Sequence, residues 1–290
     1  MDGLEQHEGY YHDGVSIGQE LFLLNYLHLV GIVVLYWDHF ITFDKEINLV
    51  WRHPKSLTAL CFFLNRYFAF ITNIPDSFIP FLALSTTECL NLSRFREMSI
   101  VLTQIITGVI MIIRVYALFN RNLRILILLG ATGLAAIIVS AWSVSAHAGV
   151  RVMIIGGCRY GLTESSAYRF AGSWISLFVF DLTVFALTLY YAKITRERST
   201  RQTNLHVLVV RDGAMYFGIM ALANLANIAT YYLVEYWPLI PGALATFANC
   251  ISITMISRLI LNLLEQADEG IFLVTQPGAD THVALSSFDG

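Results

Sequence analysis

The sequence predicts an all-α integral membrane protein, a bundle of seven transmembrane helices with its N-terminus outside and its C-terminus in the cytoplasm. Hydrophobic residues make up 56% of the 290 positions and charged residues only 13%, well below the ~25% usual in soluble domains. The mean hydropathy is +0.62. A soluble protein of this size could not bury so much apolar surface, so the composition favours lipid as the solvent of the helices.

Seven apolar runs are each long enough to cross a bilayer, whose core takes about 20 helical residues. These predicted spans cover residues 21–43, 57–74, 98–119, 123–146, 170–192, 213–234 and 239–264. Residues 20–265 therefore form the membrane domain, residues 1–19 an acidic extracellular segment, and residues 266–290 a polar cytoplasmic tail.

The apolar stretch Phe78–Leu90 is short and has Pro75 and Pro80 at its start. We interpret it as an extension of the second helix. As a separate full span it would raise the count to eight and move the C-terminus to the other side of the membrane.

Positive charges set the predicted orientation. The inner segments hold eleven Lys and Arg residues and the outer segments five, and cytoplasmic loops carry the excess of these residues. The sequon at Asn91 lies in an outer loop, which supports the orientation weakly. Cys89 and Cys158 also lie in outer loops, where a disulfide between them would join the third helix to the loop after the fourth. The plasma membrane is the expected location, with an endomembrane as the alternative.

Several motifs of the chain resemble a known family. In the first third they are Tyr36-Trp37-Asp38-His39-Phe40, Asp44-Lys45-Glu46-Ile47, Val50-Trp51-Arg52 and Phe63-Leu64-Asn65-Arg66-Tyr67; further on they include Arg114-Val115-Tyr116-Ala117-Leu118 and Val179-Phe180-Asp181. The pattern is similar to that of fungal, mushroom-type multi-pass membrane proteins with an N-terminal domain of unknown function (DUF6533-like). The resemblance implies seven spans and a fungal origin, and it brings no catalytic or ligand-binding residues.

Charged side chains inside a span are the first functional candidates, because each costs at least ~2.5 kcal/mol in a bilayer and must find a partner. Asp181 lies near the middle of the fifth span, and we predict an ion pair with Arg66 or Arg114. The alternative is a ligand or proton site at Asp181. Asp38 is a further charged candidate.

Buried amides form a second group of candidates, comprising Asn65, Asn224, Asn227 and Asn249. Asn224 and Asn227 are three residues apart and share one helix face, where Asn249 of the seventh span could meet them. Interhelical hydrogen bonds of ~0.6 kcal/mol each are the favoured interpretation, and ligand binding is the alternative. Arg114 and Arg258 lie near inner helix ends, where we expect them to reach the lipid head groups.

The sequence argues against several classes of protein. Lys45, Lys55 and Lys193 lie in loops or at a span edge, which excludes a retinal Schiff base inside the bundle. Only His28 of the eight histidines lies well inside a span, so we expect neither a metal nor a cofactor. No phosphate-binding glycine loop or nucleophile elbow is present, and we expect neither an enzyme nor a nucleic-acid-binding protein.

A receptor-like sensor of an unknown ligand is the favoured function, and a transporter or channel that uses Asp181 as a cation or proton site is the alternative. A basic inner loop at residues 193–211 either contacts anionic lipid or docks a cytoplasmic signalling partner. Its cationic residues are Lys193, Arg196, Arg198, Arg201 and Arg211.

Overall fold

The computed structural model describes residues 2–52, 54–78, 82, 85–145, 151–154, 158–161, 164–198, 204–233, 237 and 239–275. Side chains are described for these residues apart from 2–17, 86, 144, 151–161, 196–198, 204–212 and 269–275. Seven helices form within these ranges: α1 (Asp2–Leu49), α2 (Leu57–Phe78), α3 (Thr86–Leu118), α4 (Leu123–Ser145), α5 (Glu164–Arg198), α6 (Asn204–Tyr231) and α7 (Ala245–Thr275).

All seven helices of the described chain are long and apolar enough to cross a membrane, which confirms the predicted bundle of seven transmembrane helices. The orientation of the two termini stays a prediction. Their outward faces carry large apolar side chains: Leu134, Ile138 and Leu222 are 58%, 60% and 66% exposed. Exposed apolar faces on every side suit lipid, which also forces peptide groups to pair within helices.

The helices pack as a bundle around α7 and α3. Helix α7 contacts α1, α2, α3 and α6, whereas α4 packs against α3 and α5. Accordingly 61% of the apolar window of α7 is buried but only 11% of that of α4. We call the end of the bundle at which α3, α5 and α7 begin its N-terminal end, and the end at which they finish its C-terminal end.

Several helices run beyond their predicted bounds. Helix α1 continues to Leu49, through the charges at which the predicted span stopped. Helix α5 ends at Arg198 and helix α6 begins at Asn204. The prediction of a loop over residues 193–211 was therefore wrong for most of its length. Charged residues need not end a helix that projects past the bilayer core, because its backbone hydrogen bonds are already made within the helix.

The last residues of the Phe78–Leu90 stretch belong to the third helix and not to an extension of the second, which corrects that interpretation. Helix α2 ends at Phe78 and α3 begins at Thr86. Ser85 caps α3: its hydroxyl accepts from the Glu88 N–H, and the Glu88 carboxylate accepts from the Ser85 N–H at 3.0 Å. This reciprocal pairing satisfies N–H groups of the first turn and fixes the start of α3.

One glycine allows α1 and α7 to approach closely. A Cβ atom added at Gly31 would lie 2.9 Å from the backbone Cα of Phe247. Small residues at such crossings let helix backbones pack directly against each other in lipid.

A β-hairpin that the sequence did not predict lies between α4 and α5. Strands β1 (Arg151–Ile154) and β2 (Cys158–Gly161) pair antiparallel, with Arg151 opposite Gly161. Strand β1 also contacts α3, and Cys89 is buried at the start of α3. The Cys158 side chain lies outside the described side chains, so the Cys89–Cys158 bridge stays a prediction.

Candidate functional site

Asp181 does not pair with either predicted cation. Its side chain is 2% exposed, Oδ2 accepts a hydrogen bond from Asn224 Nδ2, and Oδ1 has no hydrogen-bond partner among the described residues. None of the ion pairs between described side chains includes Asp181. The predicted Asp181–Arg66 or Asp181–Arg114 pair was therefore wrong, and Asp181 instead links α5 to α6.

Arg66 turns from α2 towards α1 and belongs to a buried ion network. The side chain is almost fully buried, and its Nε lies 3.0 Å from Glu46 Oε2. Nη2 donates to the His39 carbonyl at 2.9 Å and to Thr42 Oγ1 at 2.7 Å. Nη1 lies 3.8 Å from Asp38 Oδ2. Asp38, Thr42 and Glu46 are spaced by four residues, so they form one stripe on α1 that faces Arg66.

The two carboxylates of this network have further partners. Asp38 Oδ1 accepts from Nε of Arg258 on α7. Glu46 Oε1 accepts from the Tyr67 hydroxyl at 2.6 Å and from Trp51 Nε1 at 3.1 Å. The ion network, Asp38, Glu46, Arg66 and Arg258, thus joins α1, α2 and α7 with two formal charges of each sign. Such compensation is what makes buried charges tolerable in a low-dielectric setting.

Neither Arg114 nor Arg258 is directed solely to lipid head groups, which corrects the interpretation from sequence. Arg258 joins the ion network through Asp38. Arg114 lies against α6, with its guanidinium carbon 5.6 Å from the Phe217 ring centroid. A side chain at Gly213 would overlap this guanidinium, so glycine there makes the space that Arg114 occupies.

Three of the four amides, Asn65, Asn224 and Asn249, form interhelical hydrogen bonds. Asn65 Nδ2 donates to the Ile253 carbonyl and to Ser257 Oγ, both at 3.1 Å, and Asn65 Oδ1 accepts from Thr107 Oγ1 at 3.1 Å. These bonds join α2, α3 and α7.

The predicted meeting of Asn249 with α6 was wrong. Asn249 Oδ1 accepts from Thr103 Oγ1 at 2.8 Å and from Gln104 Nε2 at 3.0 Å, so it joins α7 to α3. Asn224 contacts Asp181, and Asn227 is fully buried one turn further along α6.

A cavity of about 540 Å³ extends from the N-terminal end of the bundle as far as Ile112 on α3 and Gly130 on α4. Much of its wall is apolar, supplied by α3, α4 and α5, and its polar end carries His28, Asp76, Arg96 and Glu97. We call it the amphipathic cavity. Its size lies within the ~300–1,000 Å³ typical of small-molecule sites, which are mostly apolar with a few polar groups.

An ion pair organises the polar end of this cavity. Arg96 Nε lies 3.2 Å from Asp76 Oδ1, and its Nη2 donates to Thr246 Oγ1 at 2.8 Å. His28 Nδ1 lies 4.0 Å from Asp76 Oδ2. These contacts bring α1, α2, α3 and α7 together around one carboxylate. Asp76 was not among the candidates predicted from the sequence, and Arg96 counted there only as a charge of the outer segments. Asp76 nevertheless follows buried Asn73 at a three-residue spacing, which places the two residues on the same helix face.

Glycines on α3 and α4 create the apolar part of the cavity. The Phe180 ring lies between Gly108 and Gly133, at 3.6 and 3.5 Å from where their Cβ atoms would be. A Cβ atom at Gly130 would meet no atom within 4 Å. Asp181 does not line this cavity, although its neighbour Phe180 does.

Among the residues whose side chains are described, no group of three or more His, Cys, Asp or Glu side chains is placed to hold a metal ion. Lys193 is exposed near the end of α5. The side chains of Arg196, Arg198, Arg201 and Arg211 lie outside the described part of the chain, so the predicted partner surface stays a prediction. Asn91 is exposed in the first turns of α3, and its glycosylation also stays a prediction.

Seven apolar helices with outward-facing apolar side chains define a multi-pass helical membrane protein. Within it, residues 26–71 match DUF6533, a family of unknown function. The matched segment contains Asp38, Glu46 and Arg66, so it supplies three of the four members of the ion network. A search of curated proteins found no match.

Proposed function

We propose that the protein is a receptor-like sensor that binds a small molecule in the amphipathic cavity. The observation that carries the proposal is the cavity itself, which combines about 540 Å³ of largely apolar space with a charged end at Asp76 and Arg96. In this proposal the N-terminal end of the bundle faces outside and its C-terminal end faces the cytoplasm, in keeping with the distribution of positive charges. The proposal places the chain in the plasma membrane and includes no catalysed reaction.

A route from the cavity to the next helix pair supports sensing. Phe180 lines the cavity, and the adjacent Asp181 holds Asn224 of α6. A ligand that displaces the Phe180 ring would shift the α5 segment that makes this hydrogen bond. A ligand shifts such an equilibrium only by its difference in affinity for the two arrangements. The end of α5 and the start of α6 carry most of the basic residues proposed to meet a cytoplasmic partner.

Proximity labelling tests this function. A biotin ligase fused after Gly290 would label proteins near the C-terminal end in cells. The proposal expects heterotrimeric G-protein subunits to be labelled by the wild type and less by Gly130→Leu, which fills the cavity. Gly172→Leu is the matched control, because a Cβ atom there also meets nothing within 4 Å and Gly172 does not line the cavity. Equal labelling by all three chains would count against sensing through this cavity.

The second candidate is a transporter or channel with Asp181 as a cation or proton site. It is favoured by one observation, the buried Asp181 Oδ1 that has no hydrogen-bond partner among the described residues. An ionisable residue inside a membrane bundle is a functional candidate by default. Solute uptake into proteoliposomes that is abolished by Asp181→Asn, without G-protein labelling in cells, would favour transport over sensing.

A further inference from the structure

We propose that the amphipathic cavity takes its ligand from the bilayer, and that this ligand is an amphiphile whose head group donates hydrogen bonds and bears no negative charge. The inference rests on the proposed function and names the class of molecule for the same site. Three features of the cavity carry it: the charges of its polar end, the shape of its apolar part, and the position of its opening.

The polar end has more acidic than basic side chains. Among the described side chains that line it, Asp76 and Glu97 are acidic and Arg96 is the arginine. Arg96 is engaged by Asp76 and by Thr246. With His28 neutral, the formal charge of these groups is negative, so a carboxylate or phosphate head group would be repelled. An alcohol or ammonium head group instead donates to carboxylate oxygens, and such charge-assisted bonds are the strong ones.

The apolar part suits a hydrocarbon body. It extends from Ile100 past Gly108 on α3 and faces Gly133 on α4, with the Phe180 ring at its base. This wall offers few hydrogen-bonding groups, so a polar body would lose its hydration without compensation. A hydrocarbon body would lose nothing on leaving lipid for this wall and would gain packing contacts.

The cavity reaches the lipid-facing surface between α3 and α4. Val109, Leu134 and Ile137 line the cavity and are also 47%, 58% and 40% exposed on the surface of the bundle. Side chains that border both the cavity and the membrane mark an opening into the bilayer. A ligand that uses this opening must first dissolve in the bilayer, which selects amphiphiles over water-soluble molecules.

Three amphiphiles that share one hydrocarbon chain length and differ in head-group charge test the inference. Tritiated dodecan-1-ol, dodecylamine and dodecanoate would be bound to the full chain in nanodiscs, with empty nanodiscs subtracted to remove partition into lipid. We expect the alcohol and the amine to bind at least about tenfold more tightly than dodecanoate, a difference that electrostatic repulsion at a partly desolvated site supplies. Gly130→Leu should weaken both by about tenfold or more, since it fills the cavity, whereas Gly172→Leu should leave them within about twofold.

Asp76→Asn provides a second, independent measurement. It removes one negative charge and releases Arg96 from its carboxylate partner, so we expect dodecanoate to bind more tightly than to the wild type and the amine more weakly. The thermal unfolding of each variant would be compared with that of the wild type, to show that binding is measured on folded protein.

The outcomes separate the two proposals. Tightest binding of dodecanoate, or equal binding of the three probes, with a loss in Gly130→Leu would overturn the head-group inference and leave sensing through the cavity intact. Binding that Gly130→Leu and Gly172→Leu leave equally unchanged would show that the cavity is not the site, which would overturn both. Absence of saturable binding by all three probes would overturn the present inference alone.

Discussion

At the scale of single residues, the buried charges of this protein divide into a compensated group and an isolated one. Arg66 meets Glu46 and Asp38, and Asp38 also meets Arg258. Asp181 has one amide partner and no ion pair among the described side chains. Compensated charges belong to the framework, because each carboxylate lowers the cost of burying its guanidinium partner. An isolated buried acid adds little to stability, so its presence points to a role in function.

Removing Arg66 should destabilise the bundle strongly. Arg66→Met leaves Glu46 and Asp38 buried with less compensation, and breaking a buried pair in this way costs about 3–5 kcal/mol. Lys45→Met is the matched control, because Lys45 pairs with Glu265 at 2.8 Å with both side chains substantially exposed, and an exposed pair contributes at most about 1 kcal/mol. Thermal unfolding in detergent would show the difference. Similar losses in the two variants would contradict a framework role for the ion network.

Replacing Asp181, in contrast to Arg66, should change the stability of the bundle little. Asp181→Asn keeps the shape of the side chain and can still accept from Asn224, so we expect stability to stay within about 1 kcal/mol of the wild type or to rise. Asn224→Ala should instead lower stability by about 1–3 kcal/mol, since it leaves the buried carboxylate unsatisfied. The same unfolding measurement applies. A loss in Asp181→Asn as large as that in Arg66→Met would mean that Asp181 is part of the framework.

At the scale of the helices, what the sequence could predict depended on whether a contact was local. Seven apolar runs sufficed to place seven helices, because burial of backbone polar groups in lipid leaves no other structure for such runs. The predicted first span stopped at Phe43 before Asp44, Lys45 and Glu46, and that boundary hid the stripe of Asp38, Thr42 and Glu46 on one continuous helix. The face of α2 that Arg66 occupies, and hence its partner, follows from packing against α1, which no local pattern specifies.

The cavity also depends on contacts between helices that no local sequence pattern specifies. The glycines at its wall are ordinary within their own helices, and only the approach of α3, α4 and α5 places them around Phe180. Asp76 and Arg96 both fell outside the predicted spans, between the second and the third, where no helix face could be assigned to either residue. The proximity of the two residues requires the C-terminal end of α2 to lie beside the N-terminal part of α3.

Close packing of α1 on α7 yields a prediction for one glycine. Gly31→Ala places a methyl group 2.9 Å from the backbone of Phe247, and backbone cannot move aside as a side-chain end can, so we expect a loss of about 1–3 kcal/mol. Gly172→Ala, where the added atom meets nothing within 4 Å, should be neutral or stabilising, because alanine favours helix over glycine by about 1 kcal/mol. Unfolding temperatures of the two variants would check this. Equal behaviour would show that α1 and α7 do not pack as closely as described.

At the scale of the whole molecule, an odd number of spans places the two termini on opposite sides of the membrane. The two ends of the bundle then have different proposed roles. The N-terminal end holds the polar end of the amphipathic cavity and the β-hairpin, and the C-terminal end holds the ion network and the proposed partner surface. Ligand binding at one end and partner contact at the other would be coupled only through helices that differ in position between two states. The contacts of α5 with α6 through Asp181 and Asn224 are the described element best placed for this.

The proposed orientation predicts a glycan on the N-terminal end. Asn91 is exposed in α3, and in the secretory pathway that end would face the lumen, where sequons are glycosylated. Treatment with an endoglycosidase should increase the gel mobility of the wild type and leave Asn91→Gln unchanged. A wild-type chain that does not shift would remove this support for the orientation.

The most direct test of the account measures on which side of the membrane each terminus lies. Epitope tags placed before Met1 and after Gly290 would be stained in cells before and after permeabilisation. Seven spans with the N-terminal end outside predict that the first tag is stained on intact cells and the second only after permeabilisation. Both tags on the same side would require an even number of spans, which would contradict the seven-helix membrane bundle from which the cavity, the ion network and the proposed function are all derived.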